Sequence, residues 1–190
     1  MSGGCLGDDL CQGGIPLGDT LGNRAAVSTE HQVHLDTLLA VYPDARIVHT
    51  HRDPLKSMSS ATSIMGTFYS MRSDQPFNAE MFENIIMGEP TARRLEAVMD
   101  LRDRGMIPEA NIVDSRYQDL MEDPVACIEQ IYRHFGMTLN DGTKQRMLRY
   151  LAAKPKGKFG VHAYGQGGAR AKDRPLFRRY QERYGVPDEV

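Results

Sequence analysis

A short apolar run that ends in Arg-Asp-Pro, within residues 45–60 (ARIVHTHRDPLKSMSS), constrains the fold of this chain more than any other segment. The β-branched residues Ile47 and Val48 predict a buried strand. Asp53 is a favourable helix N-cap, and Pro54 suits the first helical turn, where its missing N–H costs nothing. The pattern therefore predicts a strand that turns directly into a helix.

The arginine at this junction indicates an anion-binding site. The N-terminus of a helix offers unpaired N–H groups and a partial positive charge, and Arg52 adds a fork of N–H donors. Ser60, eight residues after Arg52, can add a hydroxyl from the same helix. Taken alone, the segment is equally compatible with an ordinary capped helix that carries a solvated arginine.

The composition predicts one soluble, cytoplasmic domain. The chain has 190 residues and a formal net charge of −2, which gives no support to a nucleic-acid partner. It has no apolar run of the roughly 20 residues that a membrane span needs, and no secretory signal. Cys5, Cys11 and Cys127 are scattered and odd in number, so we expect no disulfide framework and no zinc site. The oligomeric state cannot be read from the sequence.

The chain divides into a glycine-rich head, residues 1–28, and a domain, residues 29–190. The head shows no helical or strand periodicity, and we expect it to be poorly ordered. In the domain, helical patterns alternate with short apolar runs, which predicts an α/β fold with a parallel sheet covered on both faces. Only two strands are clear, residues 46–50 and 111–114, so we expect an N-terminal strand to be missing.

The helical patterns are bounded by prolines, glycines and capping residues. We expect Pro90 to break or kink one of them, and Gly105, Gly136 and Gly185 to end helices. The predicted helices are residues 33–42, 54–71, 77–105, 125–135, 141–153 and 173–184.

Two later segments carry further candidate binding residues. Tyr117 follows the second predicted strand in an Arg-Tyr-Gln-Asp-Leu motif, and residues 156–160 (KGKFG) form part of a basic, glycine-rich loop. Taken singly, Tyr117 is a core or interface residue and the loop is an ordinary basic loop. We interpret His49 and His51 as surface or structural residues.

In this order, the three segments resemble the PAPS-dependent sulfotransferase family, particularly its bacterial small-molecule branch (PAPS is 3′-phosphoadenosine 5′-phosphosulfate). The resemblance implies a P-loop-NTPase-like three-layer fold, PAPS as co-substrate, a small-molecule acceptor and no metal. Arg52 and Ser60 match the residues that hold the 3′-phosphate, and Tyr117 matches the tyrosine that lies against the adenine. Lys156 and Gly157 match the late loop that grips the same phosphate.

The chain also departs from the family pattern. Gln118 and Pro155 replace the usual acid and the usual arginine of two motifs. His31 falls at the position of the catalytic histidine, but Val27 stands at the position of its lysine partner. Nothing in residues 1–28 matches the loop that holds the 5′-phosphosulfate, and we therefore expect an N-terminally truncated family member.

Three functions remain open on the sequence. The first is transfer of a sulfuryl group from PAPS to a hydroxyl or amine, impaired by the missing 5′ loop. The second is a catalytically inactive remnant that acts as a nucleotide-binding or interaction module. The third, a nucleoside-phosphate kinase, is disfavoured because the pattern GxxxxGK[ST] is absent.

Overall fold

The fold is built on a parallel β-sheet. The computed structural model describes residues 25–26, 34–82, 87–154 and 171–189, with only the backbone for 25–26 and 81–82. Within these ranges the sheet has three strands in the order β1-β2-β3, and both pairings are parallel. The strands are β1 (Ala25–Ala26), β2 (Arg46–His51) and β3 (Ile112–Arg116).

The first strand corrects two expectations from the sequence. Ala25–Ala26 falls inside the predicted head, residues 1–28, yet it pairs with Arg46 and Ile47 of β2. The described sheet therefore has one strand more than the two that were clear in the sequence. A two-residue strand is too short to show the alternation of apolar and polar residues that is typical of strands, so the sequence did not predict it.

The helices follow the predicted order. The glycines at the predicted helix ends have left-handed backbone, with φ of +70° at Gly105, +65° at Gly136 and +62° at Gly185. The described α-helices are α1 (Leu35–Val41), α2 (Pro54–Ser70), α3 (Glu89–Asp103), α4 (Tyr117–Glu122), α5 (Pro124–His134), α6 (Asp141–Ala153) and α7 (Arg178–Tyr184).

Prolines explain where the predicted helices were wrong. Pro90 neither breaks nor kinks a helix but lies in the first turn of α3, a position that tolerates its missing N–H. Between residue 77, where the predicted helix begins, and the start of α3, only a 3-10 turn at Ala79–Phe82 is helical among the described residues. Likewise, the pattern at 173–184 begins as a 3-10 turn, Ala171–Phe177, because Pro175 interferes with regular α-helix at its start.

Both faces of the sheet are covered, as predicted. On one face, Ile47 and Ile112 pack in a buried cluster with residues of α1 and α3. On the opposite face, the Ser115 hydroxyl of β3 lies 3.4 Å from the buried thiol of Cys127 in α5. A second cluster joins α2 to α3 and to the turn before α7 through Leu55, Met58, Met87, Ala92 and Phe177. No described helix is long and apolar enough to span a membrane.

The junction between β2 and α2 is fixed by the fully buried carboxylate of Asp53. It caps α2 by accepting from the Leu55 N–H at 3.0 Å. Arg174 donates to both its oxygens, at 2.7 and 3.0 Å, and the backbone N–H of Glu189 donates at 2.7 Å. One carboxylate thus ties together the helix start, the turn before α7 and the segment after α7.

We predict that Asp53→Ala lowers the free energy of unfolding by about 3–5 kcal/mol, because it leaves the buried Arg174 without this partner. Urea denaturation measures the change. Asp123→Ala is the matched control, since Asp123 is an exposed N-cap that also precedes a proline, and its loss should cost only about 1 kcal/mol. Equal losses in the two variants would contradict the central role of Asp53.

Candidate functional site

The candidate site lies where β2 and β3 end side by side. The two strands are parallel, and His51 of β2 is in register with Arg116 of β3. The next residues along the chain are Arg52 and Tyr117, and they meet: the guanidinium carbon of Arg52 lies 3.8 Å from the centre of the Tyr117 ring. Ligands of open α/β sheets bind at this carboxyl edge.

The N–H edge of Arg52 faces an anionic group. Its Nε and Nη2 atoms donate to the two carboxylate oxygens of Glu189, at 2.9 and 2.7 Å. The two side chains are 28% and 22% exposed, so the pair is open to solvent on one side. A fork-to-fork contact of this kind is also how arginine holds a phosphate. No local pattern in the sequence predicts Glu189 at this place, because it is 137 residues from Arg52.

Ser60 lies further along α2, seven residues after the N-cap Asp53 and therefore on the same side of the helix. Its side chain is partly exposed, and no hydrogen bond to it is seen within the described part of the chain. In contrast, the neighbouring hydroxyls of Ser59 and Thr62 are buried and donate to backbone carbonyls of the preceding turn. The hydroxyl of Ser60 thus differs from its neighbours in being open to a ligand.

The other predicted site residues, His31, Lys156 and Gly157, lie outside the described residues. Their roles stay predictions, as do the roles predicted for Arg52, Ser60 and Tyr117. The structure brings Arg52 and Tyr117 into contact and places Ser60 on the helix that begins beside them.

A partly buried polar network lies next to Arg52 on β2 and β3, and the sequence did not predict it. His51 is 1% exposed. Its Nδ1 lies 2.9 Å from the hydroxyl of Tyr180, and its Nε2 lies 2.9 Å from a carboxylate oxygen of Asp114. Arg102 donates to both oxygens of that carboxylate, at 2.7 and 2.9 Å. The Arg52 backbone also hydrogen-bonds to Tyr180, which connects the network to the candidate site.

Burial and the contacts between the side chains together set the protonation states in this network. Burial lowers the pKa of His51 from its ordinary value of 6.5, even though its hydrogen bond to Asp114 acts in the opposite direction. Burial also raises the pKa of Tyr180, so its hydroxyl keeps its proton. Burial alone would raise the pKa of Asp114, but contacts with His49, His51 and Arg102 outweigh it and hold that pKa well below its usual range. The network therefore pairs a neutral His51 with an ionised Asp114.

Three groups of this network are close enough to share a metal ion. The nearest ligand atoms of His49, His51 and Asp114 all lie within 4.8 Å of one another. However, Asp114 already accepts two hydrogen bonds from Arg102 and one from His51. A dication would have to share this carboxylate with a guanidinium that carries the same sign of charge, so the donor set fits a metal poorly.

A parallel α/β sheet with an arginine at its carboxyl edge, beside a helix N-terminus, is an arrangement typical of proteins that bind anionic ligands. Comparison with known proteins identifies the family. A family model described as "Sulfotransferase family" matches residues 10–141, more than half of the chain. The chain belongs to the sulfotransferase family. The match begins inside the predicted head, so the likeness extends further towards the N-terminus than the predicted boundary at residue 29.

The relatives are mycobacterial. The chain is 25% identical over 122 residues to the omega-hydroxy-beta-dihydromenaquinone-9 sulfotransferase Stf3 of Mycobacterium bovis, and the match covers 64% of this chain and 31% of Stf3. Among solved structures, sulfotransferase STF9 from Mycobacterium avium aligns with a TM-score of 0.64 and 28% identity, over 85% of this chain and 42% of that one.

A second solved structure is that of sulfotransferase STF1 from Mycobacterium tuberculosis. It aligns with a TM-score of 0.52 and 26% identity, over 82% of this chain and 38% of that one. The match to the curated relatives thus spans about a third of their length, and the matches to the solved structures span less than half of theirs.

We predict that the stability of the protein falls as the pH is lowered through two regions. Since folding lowers the pKa of His51, the unfolded chain binds more protons below about pH 6.5, and stability falls there by up to about 1.4 kcal/mol per pH unit. Since the folded pKa of Asp114 is also lowered, a second loss begins near its ordinary value of 3.8.

Urea denaturation between pH 8 and pH 3 tests this expectation. His51→Gln should lower stability at every pH and remove most of the slope between pH 6.5 and pH 5. His134→Gln, on the exposed end of α5, is the control and should keep that slope. A wild-type stability that is flat between pH 8 and pH 5 would show that His51 is not held neutral.

Proposed function

We propose that this chain binds PAPS and takes part in the transfer of its sulfuryl group to a small-molecule acceptor. Arg52 and Ser60 hold the 3′-phosphate, and Tyr117 lies against the adenine. The observation that carries the proposal is the contact between Arg52 and Tyr117 at the carboxyl edge of the sheet. It brings together a side chain that can bind phosphate and an aromatic ring on which a base can stack. Membership of the sulfotransferase family supports the choice of nucleotide.

The physical properties of the site suit a 3′-phosphate. The group is a dianion, and it calls for a guanidinium fork, a helix N-terminus and a hydroxyl donor. Arg52 already holds a carboxylate with two donor atoms, so its guanidinium is oriented for an oxyanion. Ser60 supplies the hydroxyl from the side of α2 that carries Asp53. A tyrosine ring offers the flat surface on which a base stacks.

The proposed reaction is a displacement at sulfur. The acceptor oxygen or nitrogen forms a bond to sulfur, the bond from sulfur to the 5′-phosphate oxygen breaks, and adenosine 3′,5′-bisphosphate leaves. The acceptor proton passes to a base, for which His31 is the candidate from the sequence. As in phosphoryl transfer, catalysis then depends on positioning and on charge stabilisation. Lys156 and Gly157 are proposed to add a second grip on the 3′-phosphate.

The acceptor is proposed to be a small molecule with a hydroxyl group or an amine. The relative Stf3 is named as a sulfotransferase of omega-hydroxy-beta-dihydromenaquinone-9, which carries a hydroxyl group, and this favours a hydroxyl acceptor. The buried free thiol of Cys127 is compatible with the cytoplasmic location that the cysteine usage predicts. Neither a metal nor a nucleic acid takes part in the proposed reaction.

We predict that Arg52→Ala weakens binding of adenosine 3′,5′-bisphosphate by at least about 30-fold, because two charge-assisted hydrogen bonds are lost. Isothermal titration calorimetry of the purified chain measures the affinity. The control is Arg93→Ala, since Arg93 is an exposed arginine of α3 that pairs with Glu89. Absent binding by the wild type, or equal binding by the two variants, would rule out the proposed site.

Ser60→Ala is predicted to weaken the same binding by about tenfold, through the loss of one hydrogen bond to a charged group. Ser70→Ala, at the exposed far end of the same helix, should leave the affinity unchanged. Transfer of radiolabelled sulfate from PAPS to a hydroxylated acceptor then separates two functions. Transfer identifies an enzyme, and binding without transfer identifies a nucleotide-binding module with the same site.

A further inference from the structure

The segment after α7 turns back onto the candidate site. Gly185 ends the helix with a left-handed φ of +62°, and the Val186 N–H donates to the carbonyl of Gln181 at 2.9 Å. Val186 is buried against Met99 and Tyr180. This anchor directs the next residues towards the start of α2. We refer to residues 185–189 as the acidic segment.

The acidic segment places two carboxylates on arginines by different contacts. Asp188 lies 3.1 Å from Arg174 and 3.4 Å from Arg178, and it also accepts from Gln181 at 2.8 Å. Glu189 instead accepts from Nε and Nη2 of Arg52. Only the second contact uses the arginine that the proposed function assigns to the 3′-phosphate.

The carboxylate of Glu189 has the shape and charge of a phosphate substitute. It is planar, anionic and bidentate, and it occupies the edge of the guanidinium that a phosphate would use. Because both partners are partly exposed, 28% for Arg52 and 22% for Glu189, solvent screens this ion pair, and a dianion can compete with the single charge of the carboxylate.

Release of Glu189 would leave the rest of the site intact. The only other hydrogen bond of this residue within the described part of the chain is from its backbone N–H, which donates to Asp53. Asp53 would retain both hydrogen bonds from Arg174 and the one from the Leu55 N–H, so α2 would stay capped. Val186 and Asp188 would keep their own contacts. The contact between Glu189 and Arg52 can therefore open and close without disturbing the rest of the fold.

We infer that Glu189 is an internal competitor of the nucleotide: its carboxylate occupies the 3′-phosphate position, and binding of the nucleotide requires its displacement. The inference rests on the proposed function, since it concerns the same arginine. It assigns the acidic segment a regulatory role in which the empty site is closed by the chain's own carboxylate. Adenosine 3′,5′-bisphosphate, with its 3′-phosphate dianion, is the ligand that competes.

The test compares two charge-neutralising variants of adjacent residues. Glu189→Gln should tighten binding of adenosine 3′,5′-bisphosphate by about three- to tenfold, the range expected for removal of a weak ion pair. Asp188→Asn removes the same charge from the same segment without touching Arg52, and it should change the affinity less than twofold. Calorimetry of the full chain at one fixed salt concentration gives all three affinities.

A second measurement reports on the segment itself. Hydrogen exchange at the Glu189 amide should be slow in the free chain, where it donates to Asp53, and faster when the bisphosphate is saturating. Unchanged exchange on saturation would overturn the inference. So would unchanged or weaker binding by Glu189→Gln, or equal tightening in the two variants, which would indicate a general charge effect.

The outcomes also separate this inference from the proposed function. Bisphosphate binding that depends on Arg52 but is indifferent to Glu189→Gln refutes the internal competitor and leaves the proposed site standing. Absence of binding in the wild type and in Glu189→Gln alike refutes the proposed function, and the inference falls with it.

Discussion

The carboxylate of Asp53 is the contact on which the arrangement of this molecule depends. It is fully buried, and it joins α2, Arg174 and the backbone of Glu189 at one point. Its burial is tolerable only because each oxygen is satisfied by hydrogen bonds and the charge is matched by a guanidinium. Arg52 directly precedes Asp53, so its position at the end of β2 is held by contacts with both the start of α2 and the C-terminal residues 174 and 189.

Under this junction, the network of His51, Tyr180, Asp114 and Arg102 supports the same edge of the sheet. It links β2, β3, α3 and α7 through polar contacts that are buried at His51 and Tyr180 and partly exposed at Asp114. Because Tyr180 contacts both the His51 ring and the Arg52 backbone, the network extends to the residue that we propose for the 3′-phosphate. Buried networks of this kind are rigid when every member has its partners. We therefore regard this one as the platform on which Arg52 and Tyr117 are held.

The sequence predicted the parts of the site that depend on local rules. Asp53 as a cap, and Arg52 with Tyr117 at one sheet edge, follow from capping preferences and from the shared direction of parallel strands. Arg174 and Glu189 could not be predicted in this way, because they reach Asp53 and Arg52 from more than 120 residues away. Pro90 was mispredicted for a different reason. From the sequence alone, a proline in the first turn of a helix cannot be distinguished from a proline that breaks a helix.

Exposed and buried side chains alternate along β2 and just beyond it, so that adjacent residues serve different purposes. His49 and His51 face the buried network, Thr50 faces the other side, and beyond the strand the partly exposed Arg52 is followed by the buried Asp53. A side-chain period of two means that one inserted or deleted residue would exchange these roles. The guanidinium would then enter the interior, and a carboxylate would face the ligand. An insertion or deletion at this point would therefore displace Arg52 and Asp53 together, whereas a substitution changes one of them.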